Sequence, residues 1–327
     1  MKAVRFHAFG GPAVLRIEEL PVPEIGEDEV LIKVAAAGVN YADLMRRAGT
    51  YQADLPLPYT LGVEAAGTVE RVGEKVTRLK PGDRVATFIG QKCQAEYVAV
   101  PSGTVYQLPT GLSLEEAGGL PLAGFTAYHL LRTRGGLRPG ESVLIQAAAS
   151  GVGTFAVQMA RAWGARVFAT ASAEDKLELA RKLGAAETIN YSKTDFALEV
   201  LARTDGRGVD LILECVGGEV LEKCLDCLTP GGRMVIYGRA SGKFLPLDPE
   251  RFWTKNVSIM SFHVGRPPWT RLMHREAWAG ITGLLGAGAL RVILDRAFAL
   301  EDVAKAHGYL ADRKTHGKVV LLPTTRA

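Results

Sequence analysis

The residue types best suited to binding chemistry fall between Ser142 and Arg161. Ser142-Val-Leu-Ile-Gln-Ala147 is a short apolar run of strand formers, and from Gly151 the apolar residues Val152, Phe155, Ala156, Met159 and Ala160 recur at helical spacing. Between the two, Ala148 to Gly153 carry neither bulk nor charge, so the backbone can bend sharply and come close to a ligand. The helix that follows offers N–H groups without intrahelical acceptors and a partial positive charge at its start, which suits a pyrophosphate. Set against G-x-G-x-x-G, the three key positions are Ala148, Ser150 and Gly153, so only the third is glycine. The motif alone also fits a strand-turn-helix that binds nothing.

A second strand, Ala165 to Ala171, follows Gly164 and completes the opening βαβ unit of a dinucleotide-binding domain. NAD-specific domains place an Asp or Glu about twenty residues past the turn, where it bonds the adenosine ribose 2′-hydroxyl. Here the strand runs out at Ala171 and Ser172, and the first carboxylate is Glu174 on the next helix. A 2′-phosphate finds a hydroxyl at Ser172 and a cation at Lys176, so NADPH is expected over NADH. The plain alternative for Lys176 is a solvated helix residue.

The elements that position these residues need a long chain. At 327 residues, 47% hydrophobic and 23% charged, the composition is that of a globular protein of about two domains. Basic residues exceed acidic ones by only +4 and the charges are dispersed, which argues against nucleic acid or a membrane surface as partner. Met1-Lys-Ala-Val-Arg-Phe-His7 enters a strand pattern without an apolar leader. Ser142 to Ala160 lacks charge, but Gln146, Ser150, Gly151, Gly153 and Gln158 argue against a membrane span, and a cytoplasmic location is expected. Cys224 and Cys227 form a C-x-x-C inside a helical stretch with no further Cys pair or His nearby, so small buried apolar residues are the better account.

Residues 1 to about 110 read as short strands divided by Gly and Pro, near Lys2–Phe9, Leu15–Leu20, Glu29–Ala36, Gly67–Val72, Arg84–Phe88 and Ala95–Val100, with one helix from Tyr41 to Ala48. Ser113 and Glu116 form a capping box ahead of a helical segment that Pro121 should break, with a second helix over Gly124–Leu131. From Ser142 strands and helices alternate through six strands, which predicts a doubly wound parallel sheet. After Pro267 helices are expected over Trp269–Leu285 and Glu301–Ala311, with strands near Val292–Phe298 and Gly317–Leu322.

Six segments carry a resemblance to a known family: Gly38-Val-Asn-Tyr-Ala-Asp-Leu-Met45, Gly62-Val-Glu-Ala-Ala-Gly67, Pro81-Gly-Asp-Arg-Val85, Ala147-Ala-Ala-Ser-Gly-Val-Gly153, Gly184-Ala-Ala-Glu-Thr-Ile-Asn-Tyr191 and Gly317-Lys-Val-Val320. From Lys2 to Leu322 the chain resembles the zinc-independent quinone oxidoreductases of the medium-chain dehydrogenase/reductase superfamily, the group that includes zeta-crystallin. The resemblance implies an α/β fold, a doubly wound parallel (Rossmann) sheet plus a GroES-like, mainly antiparallel β domain. It also implies three segments: residues 1–121 as the GroES-like catalytic domain, 122–266 as the NADPH-binding domain, and 267–327 returning to the first.

The zinc alcohol dehydrogenases carry Cys where this chain has Asn40 and Gly-His-Glu where it has Gly62-Val63-Glu64, so no metal site is expected. Without a Lewis acid, an electron-poor acceptor such as a quinone or conjugated enone is the expected substrate. By resemblance, Asn40, Asp43 and Tyr128 line the nicotinamide end, and Ser150, Gly151, Val152 and Gly153 the pyrophosphate. Ser172, Lys176 and Tyr191 surround the 2′-phosphate and ribose, while Val216, Gly238, Arg239, Phe262, Val264, Gly265 and Arg313 close over the rest. Tyr51 is the candidate for touching substrate or donating a proton, or else an aromatic wall. Asp43 has an equal reading as a helix residue that fixes the Asn40 loop. The expected activity is NADPH-dependent quinone reduction; the alternatives are an enone or alkenal reductase and a non-catalytic, crystallin-like NADPH-binding protein. A homodimer or homotetramer joined through Val257–Val264 is expected.

Overall fold

The computed structural model describes residues 1–51, 54–89, 92–266 and 271–323. Two units divide the chain: Met1–Ala123 with Pro267–Trp278 and Val292–Ala327, and Gly124–Arg266 with Ala279–Arg291.

The N-terminal stretch contains β1 (Lys2–Phe6), β2 (Arg16–Glu19), β3 (Glu29–Val39), α1 (Tyr41–Arg47), β4 (Tyr59–Thr60), β5 (Glu64–Val72), β6 (Arg84–Phe88), β7 (Tyr97–Pro101), β8 (Val105–Gln107), α2 (Leu114–Gly118) and α3 (Pro121–Tyr128). Then come β9 (Ser142–Ile145), α4 (Gly151–Ala162), β10 (Arg166–Ala171), α5 (Glu174–Leu183), β11 (Glu187–Asn190), α6 (Phe196–Ala202), β12 (Val209–Glu214), α7 (Glu219–Asp226), β13 (Leu228–Ile236), α8 (Pro249–Trp253) and β14 (Ser258–Ser261). The chain closes with α9 (Arg271–Gly286), β15 (Leu294–Ala299), α10 (Val303–Ala311) and β16 (Lys318–Leu322).

In the first unit the long strand β3 organises a 7-stranded sheet of order β15-β16-β3-β5-β6-β8, with β7 also paired to β3. All its pairings are antiparallel except β15 with β16. Val30, Ile32 and Val34 alternate along β3 and pack on Val69, Val85, Val98 and Val100, the period expected of a strand with one buried face. A second cluster joins Val4, Phe6, Leu44 and Tyr59 to Leu300, Val303, Val319 and Leu321, which draws the C-terminal strands and α10 into this unit. Burying each such large side chain contributes roughly 1.5–3 kcal/mol.

The second unit holds a 6-stranded sheet of order β11-β10-β9-β12-β13-β14, parallel throughout. The order reverses beside β9, at the topological switch point where α/β sheets bind ligands. Leu144, Phe168, Ile189, Ile212 and Met234 form the core on one face.

Several elements differ from expectation. The break expected at Pro121 separates α2 from α3, but α3 starts at Pro121 itself and not at Gly124, because proline is tolerated at the first helical position; the last turns widen into a π-helix over His129–Arg134. Strand β13 begins at Leu228, ahead of Arg233, and its register shifts across the Pro230-Gly231-Gly232 stretch. Helix α8, capped by Asp248 on the Glu250 N–H, has no counterpart in the sequence reading. In the expected helix from Trp269, residues 269 and 270 lie outside the described residues and α9 starts at Arg271. Cys224 and Cys227 are buried free thiols. Among the described residues no helix is long and apolar enough to cross a membrane.

Candidate functional site

At the β9–α4 turn, Ala147 takes a positive φ of 51°. Ser150 is the N-cap of α4, and its Oγ accepts the Gly153 N–H at 3.1 Å. Thr154 N–H goes to the Ser150 carbonyl at 2.9 Å. The N–H groups of Gly151 and Val152 stand in the first turn of a twelve-residue helix, where no intrahelical acceptor exists for them, the arrangement that receives a phosphate. A Cβ on Gly153 would meet the Ala147 carbonyl oxygen at 2.4 Å, so the single retained glycine is the one that lets helix and strand approach. The turn fits a pyrophosphate.

Ser172 directly follows β10 and is exposed. The strand register sets Ala171 opposite Asn190, and Tyr191 donates its N–H to the Ala171 carbonyl at 3.2 Å, so Ser172 and Tyr191 share one edge. Lys176 lies in the first turn of α5, four residues after Ser172. Glu174, the nearest acid in sequence, is paired with Arg181 at 2.7 Å. The edge thus fits a 2′-phosphate.

Along the ends of β12 and β13, Glu214 accepts the N–H groups of Val216 and Gly217 at 2.5 and 2.8 Å, and burial pushes its carboxyl up. Val216 accepts the Ser241 N–H, and Gly238 packs where a Cβ would meet Cys215 at 3.0–3.2 Å, so Val216, Gly238 and Arg239 are neighbours. Phe262 bonds through its N–H to Ile236, and Val264 and Gly265 follow it past β14.

Tyr128, expected at the nicotinamide end, lies beyond the far end of α4 from the β9–α4 turn. Its ring lies 5.6 Å edge-on to Trp163, the C-cap of α4, and fills the space a Gly280 side chain would occupy. A helix of twelve residues is about 18 Å long, so Tyr128 stands at the end opposite Gly151. Aromatic packing, invisible to local spacing, sets its place.

Asn40, Asp43, Tyr51 and Arg313 lie in the first unit. Asn40 directly follows β3 and is the N-cap of α1. Its Nδ2 donates to Glu64 Oε1 at 2.8 Å and its Oδ1 accepts from Lys318 Nζ at 2.5 Å. Lys318 Nζ also donates to Glu64 Oε1 at 2.8 Å, and Glu64 Oε2 accepts the Leu122 N–H at 2.6 Å. Glu64 lies flat across β3 because residue 38 is glycine; a Cβ there would sit 2.2 Å from Oε1. A Cβ on Gly119 would meet the Lys318 stem at 3.1–3.3 Å, and Gly317, at φ +104°, lets the chain turn into β16.

Asp43 Oδ2 accepts the Asn40 backbone N–H at 2.9 Å, the loop-fixing role. Burial pushes the Asp43 carboxyl up to about 6, against the pull of Arg46 and of the Asn40 N–H. Arg46 stands 3.5 Å from Asp43 and lies over the Tyr51 ring at 5.3 Å. A chain of contacts therefore runs from Lys318 through Asn40 and Asp43 to Tyr51. Neither Lys318 nor Glu64 was singled out by sequence as a working residue of this site. Among the described residues no three His, Cys, Asp or Glu side chains gather to hold a metal ion.

Comparison with known proteins places this geometry. Residues 151–279 match the family described as zinc-binding dehydrogenase, and residues 26–110 the alcohol dehydrogenase GroES-like domain. The chain is 39% identical to a quinone oxidoreductase of Pseudomonas aeruginosa, covering 98% of this chain and 99% of that protein. It is 38% identical to a 2-haloacrylate reductase of a Burkholderia species, covering 98% of each. Its fold superposes on the crystal structure of Escherichia coli quinone oxidoreductase complexed with NADPH with a TM-score of 0.94, at 32% identity over 99% of this chain and 100% of that one.

Proposed function

The chain belongs to the quinone oxidoreductase family of the medium-chain dehydrogenases/reductases, and from that premise we propose that it reduces quinones with NADPH and without a metal ion. The observation that carries this reading is the small-residue turn that delivers Gly151 and Val152 to the N-terminus of a twelve-residue helix, in a chain related end to end to quinone oxidoreductases. NADPH, when bound, supplies the hydride. Ser150, Gly151, Val152 and Gly153 hold its pyrophosphate. Ser172, Lys176 and Tyr191 hold the 2′-phosphate end. Val216, Gly238, Arg239, Phe262, Val264, Gly265 and Arg313 enclose the remainder.

Asn40, Asp43 and Tyr51 act at the reacting end: Asn40 presents its amide, Asp43 fixes the backbone that carries it, and Tyr51 contacts the acceptor or relays a proton to it. A quinone is already electron-poor, so positioning supplies most of the rate. The Asn40–Glu64–Lys318 cluster supports the metal-free reading, since an ammonium already stands against the one carboxylate there. The first unit, Met1–Ala123 with Pro267–Trp278 and Val292–Ala327, serves as the catalytic domain, and the second, Gly124–Arg266 with Ala279–Arg291 in place of the single stretch 122–266, as the cofactor domain. We further infer a cytoplasmic homodimer or homotetramer, supported by the edge position of β14 in its sheet.

A second reading, reduction of an activated carbon–carbon double bond, is favoured by the 38% identity to the 2-haloacrylate reductase. Initial rates of NADPH oxidation with an ortho-quinone, a 2-haloacrylate and a simple alkenal at equal concentration separate them. A quinone preference supports the first reading; a preference for either alkene replaces it with the second.

A further inference from the structure

Lys318 is 3% exposed and Glu64 0%, an ion pair closed off from water. A buried pair of this kind rarely contributes net stability compared with apolar residues of the same volume, so its presence asks for another reason. The geometry supplies one. An asparagine amide has two ends of nearly the same size and shape, and a rotation of the side chain interchanges donor and acceptor. Here the two ends are told apart by charge: the carboxylate of Glu64 takes the N–H, and the ammonium of Lys318 takes the oxygen. Either swap would set N–H against ammonium or oxygen against carboxylate. The second N–H of the amide is then held in one fixed orientation.

The scaffold around the pair is built to match. Gly38 makes room for the Glu64 carboxylate, Gly119 for the Lys318 stem, and Gly317 for the entry to β16. The Leu122 N–H takes the second Glu64 oxygen, so this carboxylate is held from three directions.

We propose that Lys318 is a positioning residue for the reduction: with Glu64 as its counter-charge, it locks the amide of Asn40 in the orientation that faces the reacting partners. This rests on the functional reading above, in which Asn40 stands at the reacting end. Lys318 touches neither acceptor nor cofactor in this account and acts only through Asn40.

The test compares the full-length wild type with Lys318→Met and with the double variant E64Q/K318M, which carries neither charge. Turnover is read with an ortho-quinone and NADPH, and thermal midpoint alongside it. In Lys318→Met both should fall. In the double variant the midpoint should return close to wild type while kcat stays about 10- to 100-fold low, with KM for NADPH within about twofold. Recovery of kcat together with the midpoint would overturn the proposal, as would failure of both variants to fold, since the pair would then be purely structural.

A readout independent of turnover keeps this separate from the functional reading. The chain has three asparagines, at 40, 190 and 256, so 15N-asparagine labelling gives few side-chain amide signals. The Asn40 amide should be sharp and slowly exchanging in wild type and averaged in E64Q/K318M. An unchanged signal would overturn the proposal, whatever the wild type reduces; a wild type that reduces nothing would sink only the functional reading.

Discussion

The ammonium of Lys318 lies 2.8 Å from the carboxylate of Glu64 inside the first unit, with Asn40 bonded to both. Residues from the ends of three strands, β3, β5 and β16, meet there, and the start of α3 adds its N–H. Whatever Asn40 does, it does with an orientation imposed from outside its own helix.

Glu64→Gln preserves shape but leaves Lys318 buried without a counter-charge. Stranding one partner of a buried pair costs about 3–5 kcal/mol, which corresponds to a drop of the thermal midpoint on the order of 10 °C. Calorimetry of the variant against wild type reads this directly; an unchanged midpoint would mean that water reaches the pair.

Asp43 gives a pH signature. Its carboxyl is raised to about 6 in the folded protein from 3.8, chiefly by burial, with Arg46 and Lys318 opposing and Glu64 adding to the rise. The folded state therefore binds the proton more tightly than the unfolded chain, and stability from this group is present below pH 3.8 and lost as pH rises through about 6. Asp43→Asn removes that loss. The difference in thermal midpoint, variant minus wild type, should rise between about pH 4 and 6 and stay level above; a flat difference would show that Asp43 is ionised throughout.

His307 acts with the opposite sign. It is buried, its Nδ1 accepts from Arg47 Nη1 at 3.0 Å, and burial together with that guanidinium pushes it down to about 3 from 6.5. The unfolded chain takes up the proton first, so stability is lost as pH falls from about 6.5 toward 3. His307→Gln keeps an acceptor for Arg47 without the titration. Its midpoint relative to wild type should improve on going from pH 7 to pH 4; constancy would contradict the neutral, buried assignment.

Lys176→Ala tests cofactor choice. A charge-assisted hydrogen bond is worth about 1.5–3 kcal/mol, so dissociation constants should weaken by about 10- to 100-fold for NADPH and change little for NADH. Equal weakening of both would remove Lys176 from the 2′-phosphate.

What was legible in the sequence was local. Ser142–Gly153 announces strand, turn and capped helix because turn chemistry and capping act over a few residues, and the absence of an acid after Ala171 is a matter of one strand end. The alternation from Ser142 to Phe262 likewise yields the doubly wound sheet, and the capping box at Ser113 and Glu116 is present as read. The Lys318 cluster was not legible in that way. Its members are separated by 278 and 254 residues, and nothing in Gly317-Lys318 alone says which strand lies beside it. The available signal was indirect: glycines at 38, 119 and 317 mark close approaches whose partners only the fold reveals. The packing of Tyr128 was hidden for a related reason, since it follows from Trp163 and Gly280, residues far along the chain. The start of β13 was obscured by Pro230, Gly231 and Gly232, turn residues absorbed into a register shift.

The central claim, metal-free quinone reduction with NADPH, is tested most directly by the loss of nicotinamide absorbance when chelator-treated protein is mixed with an ortho-quinone, with NADPH and NADH in parallel. Rapid oxidation of NADPH that survives the chelator, with NADH slower, is the predicted result. Activity abolished by chelation and restored by a divalent metal ion would contradict it, as would oxidation of NADH in preference to NADPH.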